Sequence, residues 1–118
     1  LCFASRECYT AIGKIPNEIR LAGGGSQSKV LREIFSSVLK VTIRTSNRKE
    51  SGAAGAAMIG AMALGIYKDW NSCIEDWVDP FLGKLEKNNK NLVQVYDNLY
   101  DIYLDSRNRI KPIWEKIN

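Results

Sequence analysis

The run Ile19-Arg20-Leu21-Ala22-Gly23-Gly24-Gly25-Ser26-Gln27-Ser28-Lys29 decides the fold. Before it, Glu18 to Ala22 alternates polar with apolar residues and predicts a short strand. Three glycines then break the pattern. After them Val30, Leu31, Ile34, Phe35 and Val38 recur at helical spacing, so a helix runs to about Leu39, with Ser26 or Ser28 as its cap. Val41-Thr42-Ile43-Arg44 is rich in β-branched residues and predicts a second strand. Strand, glycine turn, helix and strand in this order make an α/β chain. Glycine accepts positive φ and lets a ligand reach the backbone with no Cβ in the way. A helix N-terminus just beyond presents unpaired N–H groups and a positive dipole end. Such a turn suits a phosphate or the flat face of a nucleoside; a tight turn with no ligand uses the same residues.

Outward from this unit, residues 1 to about 13 predict a helix with Cys2, Ala4, Ser5, Cys8, Tyr9 and Ile12 on one stripe. Gly13 and Pro16 end it. Ser46-Asn47-Arg48-Lys49 reads as a polar loop. Glu50 to about Gly65 is almost all small residues and reads as a buried helix that packs its backbone close to a neighbour. The uncharged run from Ser51 to Tyr67 is too short and too rich in Gly and Ala to cross a membrane. A short helix is expected from Trp70 to Val78, ended by Asp79-Pro80. Residues 83–91 read as a solvated, lysine-rich linker. From Leu92, Val95, Tyr96, Leu99, Tyr100, Ile102 and Tyr103 predict a helix to about Arg109, with Pro112 kinking or restarting it before Ile113-Trp114.

With 118 residues the chain holds one small domain. Its net charge is +4, but the basic residues are scattered among acids, which argues against nucleic acid as a partner. The first residues, Leu1 to Arg6, look like the middle of an amphipathic helix rather than a signal peptide, so the chain reads as a fragment of a cytoplasmic protein. Cys2, Cys8 and Cys73 have no C-x-x-C spacing and there is no His to complete a metal site; they read as free thiols. The absence of His also weighs against a self-contained hydrolase.

Two nucleotide readings compete for the glycine turn. Gly23-x-Gly25-x-x-Ser28 approximates a dinucleotide fingerprint, and Arg44 at the end of the next strand would favour a 2′-phosphate. That unit would open a Rossmann-type sheet, and too little chain follows to complete it. A Walker A loop is excluded because no Gly-Lys-Ser/Thr follows at the required spacing. A non-catalytic interaction module, in which the turn is only a turn, is a further alternative.

Leu21-Ala22-Gly23-Gly24-Gly25-Ser26-Gln27-Ser28 resembles the adenosine-binding turn near the C-terminus of FGGY carbohydrate kinases, above all the pentulose-kinase branch. The order continues: Leu31-Arg32-Glu33-Ile34 before Ser37-Val38-Leu39, the strand at Val41–Arg44, and Glu50-Ser51-Gly52-Ala53-Ala54-Gly55-Ala56-Ala57, which is similar to the family's Glu-x-Gly-Ala-x-Gly-Ala-Ala helix. Tyr96-Asp97-Asn98-Leu99-Tyr100-Asp101-Ile102-Tyr103 looks like the closing helix of xylulokinase-like members. The resemblance covers nearly the whole chain.

The resemblance implies an actin-like, RNase H-like fold, with residues 1–118 forming the C-terminal part of the ATP-binding domain. It implies ATP and Mg²⁺ as cofactors, a sugar acceptor (a ketopentose) held by the missing N-terminal part, and leaves a homodimer open. By position, Gly23, Gly24 and Gly25 would lie along the nucleotide, with Gly24 among the closest. Ser28 falls near the adenine, and Gln27 stands where the family usually has Lys. No catalytic residue and no metal ligand is expected in this chain, since the family's general base is an upstream Asp; the fragment alone is expected to be inactive. Glu50 and its small-residue helix are expected to be structural. Trp70, Trp77, Tyr100 and Trp114 are expected as core or interdomain anchors, and Asp97, Asp101 and Asp105 as a solvated acidic stripe.

Overall fold

The computed structural model describes residues 1–114 and 116. Helix α1 (Cys2–Ile12) ends where Gly13 turns to φ 85° and its N–H bonds back to the Thr10 carbonyl. Strand β1 (Glu18–Leu21), helix α2 (Lys29–Leu39) and strand β2 (Thr42–Ser46) follow as the sequence predicts. Lys40 closes α2 at φ 59°, a left-handed position that seldom takes a residue with a side chain. Helices α3 (Ser51–Ala63) and α4 (Trp70–Trp77), strand β3 (Leu82–Glu86) and helix α5 (Lys90–Trp114) complete the chain. Short 3₁₀ turns fill Gly24–Gln27 and Asp79–Phe81.

The sheet has the order β1-β2-β3. Strands β1 and β2 run parallel, with Ile19 opposite Ile43 and Leu21 opposite Thr45. Strand β3 pairs antiparallel with the other side of β2, and the register slips between Arg44 and Ser46. Parallel strands need a crossover, and α2 supplies it. The core forms where α2 lies over the sheet: Ile19, Leu39, Val41 and Ile43 are buried, and Tyr9, Ile15, Leu21 and Phe35 pack against them. Each of the four buried side chains contributes about 1.5–3 kcal/mol, the partly buried ones less.

Helix α5 docks on α1 through an aromatic cluster. Phe3 lies 6.3, 5.6 and 5.3 Å, centroid to centroid, from Tyr96, Tyr100 and Tyr103. The Arg6 guanidinium sits 4.1 Å from the Tyr100 ring centre and also donates to Asp97 Oδ1 at 2.8 Å. Lys40 reaches the other oxygen of Asp97 at 2.7 Å, so one carboxylate ties α1, α2 and α5 together. Arg107 pairs with Glu7 farther along the same seam. Asp97 therefore belongs to a packed interface, while Asp105 pairs with Arg109 on the exposed side of α5.

Three expectations need correction. Residues 83–91 are not a linker throughout, because Leu82–Glu86 is the edge strand β3. Lysines suit an edge that faces water, and they masked the strand. Helix α5 does not stop near Arg109; it runs through Pro112 to Trp114. Helix α3 is not a buried helix within this chain, since only Ala54 and Met58 are buried and the opposite side, with Ile59 63% exposed, has no described neighbour. Among the predicted aromatic anchors, Tyr100 is buried and Trp77 half-buried, whereas Trp70 and Trp114 are exposed. The radius of gyration, 17.9 Å, exceeds the roughly 13 Å of a compact 100-residue domain, as these bare faces require.

Two measurements test this packing. A Cβ at Gly83 would lie 2.6 Å from Thr45 Oγ1 and 3.3 Å from the Thr45 carbonyl oxygen. Gly83→Ala should therefore cost about 1–3 kcal/mol in urea unfolding, and Thr45→Ala in the same background should recover part of it. The Lys40 ammonium, and after it the Arg6 guanidinium, hold the Asp97 carboxyl below its ordinary range. A carboxyl whose folded pKa is depressed stabilises the fold above its unfolded pKa, and that stability is lost as pH falls through the folded value. Asp97→Asn should cost about 0.5–1 kcal/mol at pH 7. The gap between wild type and mutant should begin to narrow below about pH 4, where an unfolded Asp protonates, and close only once the pH lies below the depressed folded value.

Candidate nucleotide site

The glycine turn holds its shape by different means at each residue. Gly23 sits at φ 85°, a backbone conformation that a side chain would strain. A Cβ at Gly25 would meet Leu31 Cδ2 at 3.3 Å, an approach that the Leu31 side chain would have to relieve by a small shift. Ser26 is buried, and its hydroxyl donates to the Gly23 carbonyl at 2.7 Å, closing the turn. Ser28, not Ser26, caps α2, its Oγ accepting from the Leu31 N–H at 3.3 Å.

Gly24 is different. It has no positive φ, and a Cβ built on it meets nothing within 4 Å. The fold itself gives no reason for glycine there. Gly24 lines an open cavity of about 390 Å³, with Gly23, Gln27, Asn47, Arg48 and Lys49.

Parallel pairing explains this company. Because β1 and β2 point the same way, the loops leaving their carboxyl ends emerge on the same edge of the sheet. One is the glycine turn and the other is Asn47-Arg48-Lys49. Of the residues expected at the nucleotide, Gly23, Gly24 and Gln27 line this cavity. Gly25 and Ser28 do not, and both have structural work in the turn. Sequence reasoning passed over residues 47–49 as an ordinary polar loop. The signal was the spacing: the loop stands at the carboxyl end of the strand adjacent to the glycine turn.

Both walls of the cavity are held. Arg32 donates from Nη1 to the Ser26 and Gln27 carbonyls at 2.8 and 3.2 Å, and from Nε to both carboxylate oxygens of Glu86 at 2.9 Å. The turn is thereby fastened to β3. On the other side the Asn47 N–H donates to the Phe81 carbonyl at 2.8 Å. Arg48 donates to the Trp77 carbonyl at 2.7 Å, with its guanidinium 3.8 Å from the Phe81 ring centre. Among the described residues no carboxylate lines the cavity, and two cationic side chains do.

A second cavity of about 260 Å³ lies beside Arg48, lined largely by apolar groups of β1, α3 and α4, among them Leu21, Ala54, Met58 and Trp77. Glu50 lies outside both cavities and makes no side-chain cap for α3. Among the described residues no group of three or more His, Cys, Asp or Glu gathers to hold a metal ion, and no helix is long and apolar enough to cross a membrane.

Known proteins resemble this chain in sequence and in fold. The chain is 40% identical over 117 residues to an erythritol kinase from Brucella abortus, covering 99% of this chain and 22% of the relative. It is 32% identical over 89 residues to a xylulose kinase from Staphylococcus epidermidis, 74% of this chain and 17% of that protein. In structure it superposes on a ligand-bound xylulose kinase from Lactobacillus acidophilus with a TM-score of 0.82 at 22% identity, covering 99% of this chain and 24% of the other. The chain thus spans about a quarter or less of the relatives it matches, and its sheet and helices are part of their actin-like, RNase H-like fold. The profile of the FGGY family of carbohydrate kinases, C-terminal domain, matches residues 1–64, which include both loops of the cavity. With the glycine turn, the crossover helix and the small-residue helix all inside that match, the chain belongs to the FGGY family of carbohydrate kinases.

Proposed function

We propose that the full-length protein carrying this chain transfers the γ-phosphoryl group of ATP to a hydroxyl of a small polyhydroxy acceptor, and that this chain supplies part of the ATP site. The observation that carries the reading is Gly24, whose lack of a side chain answers to nothing in the fold and which lines a cavity bordered, among the described residues, by two cations and no carboxylate. An open turn of this kind admits a polyanion against bare backbone. Residues 65–118 extend the same domain in this reading, consistent with the near-complete match to the Brucella erythritol kinase.

Phosphoryl transfer needs in-line positioning, a metal ion bridging phosphates and a residue that orients the acceptor hydroxyl. ATP supplies the transferred group. Within this chain the turn of Gly23 and Gly24 positions the nucleotide, with Gln27 at its rim. Ser28 fixes the start of α2 and Arg32 keeps the turn in place. In this reading the metal ligands and the residue that orients the acceptor are supplied by other parts of the protein. On this division of labour the chain alone does not turn over.

Two acceptor classes have support. The triple glycine, like that of the pentulose-kinase branch, favours a ketopentose. The higher identity to an erythritol kinase favours a four-carbon polyol, and we place that acceptor first. A Rossmann-type NADP site is disfavoured by the match in fold to a sugar kinase.

The test is ATP-dependent phosphorylation of erythritol, xylulose and glycerol by the full-length protein, wild type beside Gly24→Ala and Gly24→Arg. Open space around Gly24 predicts that both variants melt within a few degrees of wild type. Gly24→Arg should raise the KM for ATP at least about tenfold and leave the KM for the acceptor unchanged. A KM for ATP that ignores Gly24→Arg would keep the kinase and remove ATP from this turn. No phosphorylation of any of the three acceptors would overturn the acceptor class.

A further inference from the structure

We infer that the loop Asn47-Arg48-Lys49 is the second wall of the nucleotide site, and that the Lys49 ammonium meets a phosphate of the nucleotide. The inference rests on the placement of ATP at the glycine turn and adds to it a contact from the neighbouring strand. Lys49 lies in the same cavity as Gly23 and Gly24. It is exposed, and its side chain has no hydrogen-bond or ion-pair partner among the described residues. Its neighbour Arg48 is the opposite: the guanidinium is committed to the Trp77 carbonyl and to the Phe81 ring.

That contrast divides the two cations by role. Arg48 cannot swing to a ligand without giving up its hydrogen bond and its ring contact, so it anchors the loop. The loop is pinned a second time by the Asn47 N–H on the Phe81 carbonyl and a third by the Ser51 hydroxyl, which donates to the Arg48 carbonyl at 3.3 Å. Lys49 is therefore an uncommitted ammonium presented from a fixed backbone. Among groups the cavity could receive from a nucleotide, a phosphate oxygen is the one that forms a charge-assisted hydrogen bond with it. The nearest acid in sequence, Glu50, lies outside the cavity lining and leaves that charge uncompensated.

The experiment is calorimetric titration of the full-length protein with ATP, ADP and adenosine, comparing wild type with Lys49→Ala, Lys49→Arg and Gly24→Arg. Loss of one hydrogen bond to a charged group should weaken ATP and ADP roughly 10- to 100-fold. Adenosine binding should stay within about twofold of wild type, and Lys49→Arg should restore most of the ATP affinity. Lys49 is exposed and unpaired, so its variants should melt like wild type. Unchanged ATP affinity in Lys49→Ala, or an equal loss for adenosine, would overturn the phosphate contact. If Gly24→Arg abolishes ATP binding while Lys49→Ala does not, the loop assignment alone fails. If neither variant changes ATP binding, the glycine turn is not the nucleotide site and both readings fail.

Discussion

Arg32 is the point on which the site's geometry depends. One planar guanidinium reaches the carbonyls of Ser26 and Gln27, at the exit of the glycine turn, and both oxygens of Glu86 on β3. A 3₁₀ turn is short and makes few hydrogen bonds of its own. Here its last carbonyls are satisfied by a side chain from the helix that follows, and that side chain is oriented in turn by an acid on the far strand. The turn, the helix and strand β3 are thus held in one arrangement. Lysine could not replace it, since an ammonium lacks the fixed fork that serves carbonyl and carboxylate at once.

The three glycines show how one residue type meets three requirements. Gly23 is required by backbone conformation, Gly25 is crowded by Leu31, and Gly24 is constrained by neither. Only the last points beyond the chain. The loop after β2 shows the same division between adjacent residues, with Arg48 spent on structure and Lys49 left available. In both places the fold leaves one residue without a structural task.

Much of the fold was legible because local signals agreed. Gly13 stops α1, the β-branched run marks β2, and the apolar spacing from Val30 to Val38 marks α2. Strand β3 was hidden because an edge strand carrying Lys84 and Glu86 has the composition of a loop; its pairing depends on β2, which lies far away in sequence. Helix α5 passes through Pro112, since local propensity alone does not end a helix. The choice between Ser26 and Ser28 as cap turned on a single 3₁₀ turn that spacing cannot reveal. Half of the candidate site was readable from glycines; the other half, residues 47–49, is joined to it only by parallel pairing of two strands.

The sheet has consequences for handling the protein. Strand β1 pairs with β2 on one side, and among the described residues nothing pairs with its other edge. Elsewhere, α3 turns Ile59 and, beyond its end, Leu64 and Ile66 toward solvent. An unpaired strand edge and bare apolar surface are each prone to association. Polar residues in place of the exposed apolar side chains of α3, or a fused segment that covers them, would be the rational means of limiting association when this polypeptide is expressed by itself.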